Sequence, residues 1–264
     1  MTKRLLGKTV FITGASGGLG EHIARLSAKN GANLILLARN RQKLEKLKEE
    51  LETHFSVQVH IVEADVGNKE ELAKALELVD KQTDRIDILV NNAGFGKFTS
   101  VMDTSLFDAE NMFNVNVLGL IALTKWVLPK MTRQGKGHII NIASMAGKIA
   151  TPKSAVYAAT KSAVLAFSNS LRMEMKDAGI YVTTVNPGPM ITNFFNVADE
   201  SGNYLKNVGP WVLKPEYVAE KVVASMLTNK REINLPKLME AGSRIYHLFP
   251  SIVERVGKKA FFKK

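Results

Sequence analysis

The sequence predicts an α/β fold: a doubly wound parallel sheet of seven strands with helices on both faces, built as one domain over residues 1–264. Three observations carry this. Short β-rich apolar runs alternate with longer amphipathic patterns, the order that makes parallel strands joined by crossover helices. The first such run leads through a glycine-rich turn straight into a helix. A chain of 264 residues with 45% hydrophobic content suffices for one large core, and no linker, repeat or shift in composition divides it.

Thr9–Thr13 is the first strand. The turn Gly14-Ala-Ser16-Gly17-Gly18-Leu19-Gly20 follows, then apolar positions Ile23, Leu26 and Ala28, and a left-handed stop at Asn30-Gly31. Glycines let backbone approach a pyrophosphate, and a helix N-terminus offers free N–H groups and partial positive charge. Asn33–Leu37 is the next buried strand, ending in Ala38-Arg39-Asn40-Arg41. A site for NAD(H) would place a carboxylate here for the adenine ribose, yet no acid occurs until Glu45. Arg39 offers a guanidinium suited to a 2′-phosphate, so NADP(H) is preferred over NAD(H). The plainer alternative makes Arg39 a surface residue at the next helix start.

Leu44, Leu47, Leu51 and Phe55 form a packing stripe on that helix. Val57–Val62 alternates as a strand and ends at Ala64-Asp65-Val66, where Asp65 either bonds the adenine amino group or caps the helix beginning near Asn68. Ile86–Val90 is the fourth strand, followed by Asn91-Asn92-Ala93-Gly94, whose small residues let a ligand lie close. Farther on, Ser154 stands where it can cap a helix with apolar positions through Val164, Leu165 and Phe167. On it Tyr157 and Lys161 are one turn apart on the same face. A neighbouring cation favours the phenolate, pulling a Tyr from its reference near ~10 toward working pH, where it can give or take a proton.

Composition narrows the classes. There is no cysteine, which excludes disulfides and thiol catalysis and suits a reducing compartment. The basic start lacks the apolar region of a signal peptide, and no stretch is expected to approach the ~20 apolar residues of a membrane span. A soluble cytoplasmic protein is expected. The five histidines (22, 54, 60, 138, 247) lack ligand spacing, so no metal is expected. The net charge of +11 fits nucleic acid, a membrane surface or an anionic ligand. No nucleic-acid-binding motif accompanies it, and that partner is set aside. From Lys230 onward nine Lys/Arg face three Glu, a local excess of six.

Further pieces complete a pattern. Asn116 lies in Phe113-Asn-Val-Asn-Val, and Ser144 ends His138-Ile-Ile-Asn-Ile-Ala-Ser. Tyr157 and Lys161 come thirteen and seventeen residues after that Ser, and Asn186-Pro187-Gly188 precedes Thr192. With Thr13-Gly14-x-x-x-Gly18-x-Gly20 and the Asn91–Gly94 turn, this set resembles the short-chain dehydrogenase/reductase family, NADP-preferring type, over most of the chain. The resemblance implies a Rossmann-like fold and an NADP-dependent oxidoreductase acting on CH–OH groups, reducing a ketone or aldehyde reversibly. Tyr157 would be proton donor or acceptor, Ser144 would hold the substrate oxygen, and Lys161 would bond the nicotinamide ribose. Asn116 would hold a water relaying protons to Lys161. The implied cofactor contacts are Gly14, Ser16, Gly17, Gly18, Leu19, Gly20, Arg39, Asp65, Val66, Asn92, Ala93, Gly94, Tyr157, Lys161, Pro187, Gly188 and Thr192. By the plainer reading Ser144 caps a helix, Asn116 bonds backbone, and Asn91 holds its turn together.

The family places a substrate lid at about 189–213, where Phe194, Phe195, Tyr204 and Trp211, with Phe95 or Met145, indicate an apolar pocket. A basic and aromatic extension runs from about 240 to 264, read first as a subunit interface or lid and second as a peripheral membrane contact. A homodimer or homotetramer acting on a small, apolar carbonyl or alcohol is expected. The rivals are a 3-oxoacyl-carrier-protein reductase and, from another class, a non-catalytic dinucleotide-binding sensor; the latter needs no proton relay.

Overall fold

Seven strands form one all-parallel sheet, in the order β3-β2-β1-β4-β5-β6-β7, in a computed structural model describing residues 3–199, 209 and 212–261. The strands are β1 (Thr9–Thr13), β2 (Asn33–Ala38), β3 (Val59–Glu63), β4 (Ile88–Asn91), β5 (Gly137–Ile142), β6 (Ile180–Pro187) and β7 (Glu232–Leu235). Connecting them are α1 (Gly18–Lys29), α2 (Arg41–His54), α3 (Lys69–Gln82), α4 (Leu106–Phe113), α5 (Leu120–Gln134), α6 (Ala155–Glu174), α7 (Phe194–Ala198) and α8 (Pro215–Ser225). Two more helices, α9 (Lys237–Leu248) and α10 (Pro250–Phe261), follow β7.

Alternation along each strand sorts side chains onto two faces. Val10, Ile12, Leu34 and Leu36 pack with Ile23 of α1, Leu44 of α2 and Val222 of α8. Phe11, Ile35, Leu37 and Leu89 pack with Val79 of α3, Val127 of α5 and Leu171 of α6. Strands buried on both faces need a continuous apolar run, and β1 and β2 have one in Val10–Ile12 and Leu34–Ala38. Because all strands run the same way, the carboxyl ends of β1, β4, β5 and β6 come to one edge. Between β1 and β4 the strand order reverses, and crevices form at such points.

Three local expectations are corrected. Ser154 occupies the cap position of α6, but its hydroxyl donates to Thr151 O at 2.8 Å and caps no helical N–H. Asn68, not Asp65, caps α3, accepting from the N–H groups of Glu70 and Glu71; Asp65 accepts from Gly67 N–H at 2.8 Å and stabilises the preceding turn. The stretch Leu106–Gln134 is long and apolar enough, by length and composition, to cross a membrane. Its buried residues Met112, Val117, Leu123, Val127 and Met131 give it a core-facing side.

That stretch is not one regular helix. A π turn spans Asn114–Gly119 between α4 and α5. The extra residue per turn shifts the register around Asn116, as at many functional sites. Gly119 fits there because a Cβ would come within 2.5 Å of Val66 O.

Candidate active site

The turn after β1 is sterically determined. Gly14 and Gly18 have φ of +65° and +55°, the region where residues with a Cβ are strained. Gly20 sits where a Cβ would lie 2.3 Å from Gly14 O and 2.6 Å from Asn92 Nδ2, whereas a Cβ at Gly17 would meet nothing within 4 Å. Gly17 is thus the open position, and Gly20 lets α1 approach β1. The N-terminus of α1 has no side-chain cap, so its free N–H groups and partial positive charge remain available to an anion.

Thr13 and Asn92 lock this turn to the end of β4. Thr13 Oγ1 accepts from the N–H groups of Asn92 and Ala93 at 3.0 and 2.9 Å, and Asn92 Nδ2 donates to Thr13 O and Gly14 O at 2.9 and 3.2 Å. Asn91 turns inward, donating to Asn141 Oδ1 and Thr124 Oγ1 at 2.9 and 3.2 Å. It holds the strand end, and Asn92 holds the turn.

A cavity of about 830 Å³ opens at this edge. Its wall brings together Gly14, Ser16, Gly17, Gly18, Leu19 and Arg39 with Asn92, Ala93 and Gly94, and with Ser144, Tyr157, Lys161, Pro187, Gly188 and Thr192. Gly20, Asp65, Val66 and Asn116 lie outside that wall. Gly20 is buried under the turn, and Val66 is buried against Gly119. Asp65 pairs with Arg39 across 3.6 Å, in contact with a cavity residue without itself facing the space.

Lys161 is 5% exposed, and its Nζ donates to Ile142 O at 2.9 Å. It lies 5.8 Å from the centroid of the Tyr157 ring, the one-turn stacking expected of their spacing. Burial pushes the Lys161 ammonium down to about 8, because a charge leaving water is disfavoured. Tyr157 is 7% exposed and packs edgewise against Phe98, with Phe194 also adjacent. Ser144 follows β5, accepts from Ala146 N–H at 3.0 Å and donates weakly to Pro187 O at 3.4 Å. It therefore caps a short 3-10 turn while its hydroxyl faces the cavity.

Asn116 is fully engaged. Its Oδ1 accepts from Phe95 N–H at 3.0 Å, and Nδ2 donates to Phe95 O and Thr160 Oγ1 at 2.8 and 3.0 Å. Thr160 in turn donates to Tyr157 O at 2.7 Å. Both amide hydrogens are spent. A Cβ at Gly94 would sit 3.0 Å from Asn116 Oδ1 and 3.4 Å from Lys161 Nζ, so that glycine is the narrow gap between them. A water bridging the pair through the side chain has only the second lone pair of Oδ1 to use.

The far end of the cavity is apolar, lined by Phe95, Phe98, Ile149, Met190, Phe194 and Phe195. Tyr204 and Trp211 of the expected lid lie outside the described residues. Sequence reasoning missed Phe98 and Ile149 at this apolar end, and it also missed lining residues brought in by two helices. Lys43, in the first turn of α2, faces the cavity beside Arg39, and Leu238 and Met239 reach it from α9. A basic residue four positions after Arg39 was a usable signal for Lys43; nothing local marked the others.

Residues 8–202 match the family model for short chain dehydrogenase. An NADP-dependent 3-hydroxy acid dehydrogenase of Schizosaccharomyces pombe is 38% identical over 237 residues, covering 87% of this chain and 90% of that one. A short-chain dehydrogenase from Sphingobium yanoikuyae, solved with NADPH, superposes with a TM-score of 0.80 at 28% identity over 92% of this chain and 96% of its own. A 3-ketoacyl-(acyl-carrier-protein) reductase from Brucella melitensis, solved with NADH, gives 0.76 at 29% identity over 88% and 97%.

Proposed function

The chain belongs to the short-chain dehydrogenase family, an oxidoreductase acting on CH–OH groups, and on that premise we propose that it reduces an apolar ketone or aldehyde with NADPH. The observation that carries the reading is one cavity wall holding Ser144, Tyr157 and Lys161 beside an open glycine turn. The turn fits a dinucleotide: Gly17 has room where a phosphate would lie, and the uncapped start of α1 supplies donors. Arg39 and Lys43 suit a 2′-phosphate, and both the S. pombe relative and the S. yanoikuyae structure are NADP enzymes by name or ligand. The wall formed by Pro187, Gly188 and Thr192 would flank the nicotinamide, with Lys161 on its ribose.

When bound, the reduced nicotinamide supplies the hydride. The chain supplies the rest. Ser144 orients the carbonyl oxygen with a hydroxyl whose present bond, at 3.4 Å, is weak enough to exchange for a substrate. Tyr157 gives its proton as negative charge develops on that oxygen. Donors aimed at charge that forms only in the transition state lower the barrier more than ground-state binding does. The Lys161 ammonium favours the phenolate so produced. With a value near 8 it also gives up and regains its own proton close to working pH. Asn116 positions this group by fixing Phe95 and Thr160.

Among the described lining residues the only cations are Arg39, Lys43 and Lys161, all at the cofactor end. An apolar carbonyl therefore fits better than a free acid, which would need a cation at the aromatic end. The cysteine-free chain supports a cytoplasmic location. Exposed Met102, Leu106 and Phe107 support a homo-oligomer. The Brucella neighbour and the basic surface favour a second reading, a 3-oxoacyl thioester substrate on an acidic carrier protein.

The test is NADPH consumption by the purified chain over a panel of ketones, aldehydes, 3-oxo acids and acyl thioesters, repeated with Tyr157→Phe. Turnover with apolar carbonyls, and its loss in a variant that still binds NADPH, is the expected result. Residual turnover within about tenfold of wild type would remove the proton donor, and activity confined to thioesters would select the second reading.

A further inference from the structure

The two helices after β7 leave large apolar side chains uncovered. On α9 these are Leu238, Ile245 and Leu248; Phe249 forms the joint; on α10 they are Ile252 and Val256, with Leu248 72% and Val256 82% exposed. The spacings of seven and three residues on α9 and four on α10 put these side chains in a single stripe on each helix. Arg244 and Arg255 are exposed beside it. From Lys237 to the end the chain has seven Lys/Arg and two Glu, an excess of five.

The pair is held in place. Asn234 of β7 donates to Glu240 of α9 at 3.1 Å, and the Tyr246 hydroxyl donates to Glu254 of α10 at 3.1 Å. The tether fixes α9 so that Leu238 and Met239 line the cavity. Leu238 is also 60% exposed, which puts it at the rim.

We propose that α9 and α10 form a docking surface for an anionic lipid bilayer, with the apolar stripe in the headgroup boundary and the basic residues on the phosphates. Helices of this character, strongly amphipathic and cationic but of low overall hydrophobicity, lie in that interface. A second copy of the chain is the poorer occupant, because pairing these helices sets one excess of positive charge against another. Docking would bring the cavity rim to the lipid, so that an apolar carbonyl dissolved there reaches Ser144 and Tyr157. That last consequence rests on the function proposed above; the docking itself does not.

The experiment is co-sedimentation of the full chain with vesicles of phosphatidylcholine or of equimolar phosphatidylcholine and phosphatidylserine, at low and high salt. Sedimentation velocity and NADPH turnover of a water-soluble ketone are run alongside. Binding to the anionic vesicles that weakens with salt is expected. Leu248→Glu with Ile252→Glu reduces it to the neutral-vesicle level, with oligomeric state and turnover unchanged. Arg255→Glu, a change of two charges at about fivefold each, weakens it roughly twenty-five-fold. Absence of preference for the anionic vesicles overturns the proposal. So does a double variant that dissociates an oligomer while vesicle binding persists, which assigns the stripe to a second copy. Vesicle binding without turnover of any ketone or aldehyde of the panel would sink the carbonyl reduction proposed above and leave the docking standing.

Discussion

Replacing Lys161 by methionine should stabilise the protein at neutral pH in a way that disappears in base. The ammonium is buried, and its value falls from 10.5 to about 8 in the folded chain. At 1.36 kcal/mol per unit, that difference costs the fold about 3 kcal/mol. Below pH 8 both folded and unfolded chains hold the proton, and the whole cost is present. Between pH 8 and 10.5 the unfolded chain binds more protons than the folded one, so wild-type stability rises with pH relative to the variant. Above 10.5 the cost is gone. The variant also loses the bond to Ile142 O, worth about 1 kcal/mol, but that offset does not vary with pH. Urea unfolding of both proteins at matched pH from 7 to 11 reads the effect as a difference curve, in which other titrating groups cancel. A rise of about 3 kcal/mol with unchanged m-values is expected. A flat difference curve would show that Lys161 is not desolvated and would withdraw its assigned role as a near-neutral proton carrier.

Arg39→Asp, and more mildly Lys43→Ala, should weaken NADPH by about 2 kcal/mol for each lost charge-assisted bond while sparing NADH. Titration calorimetry with both nucleotides checks this, and an unchanged preference refutes it. Gly20→Ala forces a Cβ to within 2.3 Å of Gly14 O, a backbone clash expected to cost about 1–3 kcal/mol of stability and to weaken cofactor binding; an unaltered melting curve would contradict it. His138 is buried, accepts from Leu227 N–H at 2.9 Å and donates to Thr183 Oγ1 at 2.8 Å. Burial pushes it down to about 3. As pH falls from 6.5 toward 3 the unfolded chain takes the proton first, so stability should drop by about 5 kcal/mol at most. His138→Gln should remove that slope, and acid unfolding identical to wild type would argue against it.

Much of this was readable from the chain because the signals are local. The run Thr9–Thr13, the glycines and the stop at Gly31 specify strand, turn and helix within two dozen residues, and Gly31 does adopt φ of +81°. The four-residue spacing of Tyr157 and Lys161 survives folding because a helix fixes it. What escaped depends on contacts between distant segments. The π turn at Asn114–Gly119 has no periodic signature, since its register is set by packing of Gly119 on Val66. Leu238 and Met239 reach the cavity from an element that local pattern treats as a tail. That Lys161 is closed off from water is set by β5, a distant strand, which presents the Ile142 carbonyl to it.

The side chain of Asn116 gives to Phe95 C=O and takes from Phe95 N–H, as a neighbouring peptide group would. One amide thus impersonates an adjacent strand for a stretch of loop that has none. The root of that loop is pinned at two atoms whatever its tip contains, so residues beyond Phe98, which itself packs on the Tyr157 ring, can diverge without disturbing the lysine behind them. New substrates can be tried at the rim while the proton machinery stays where it was.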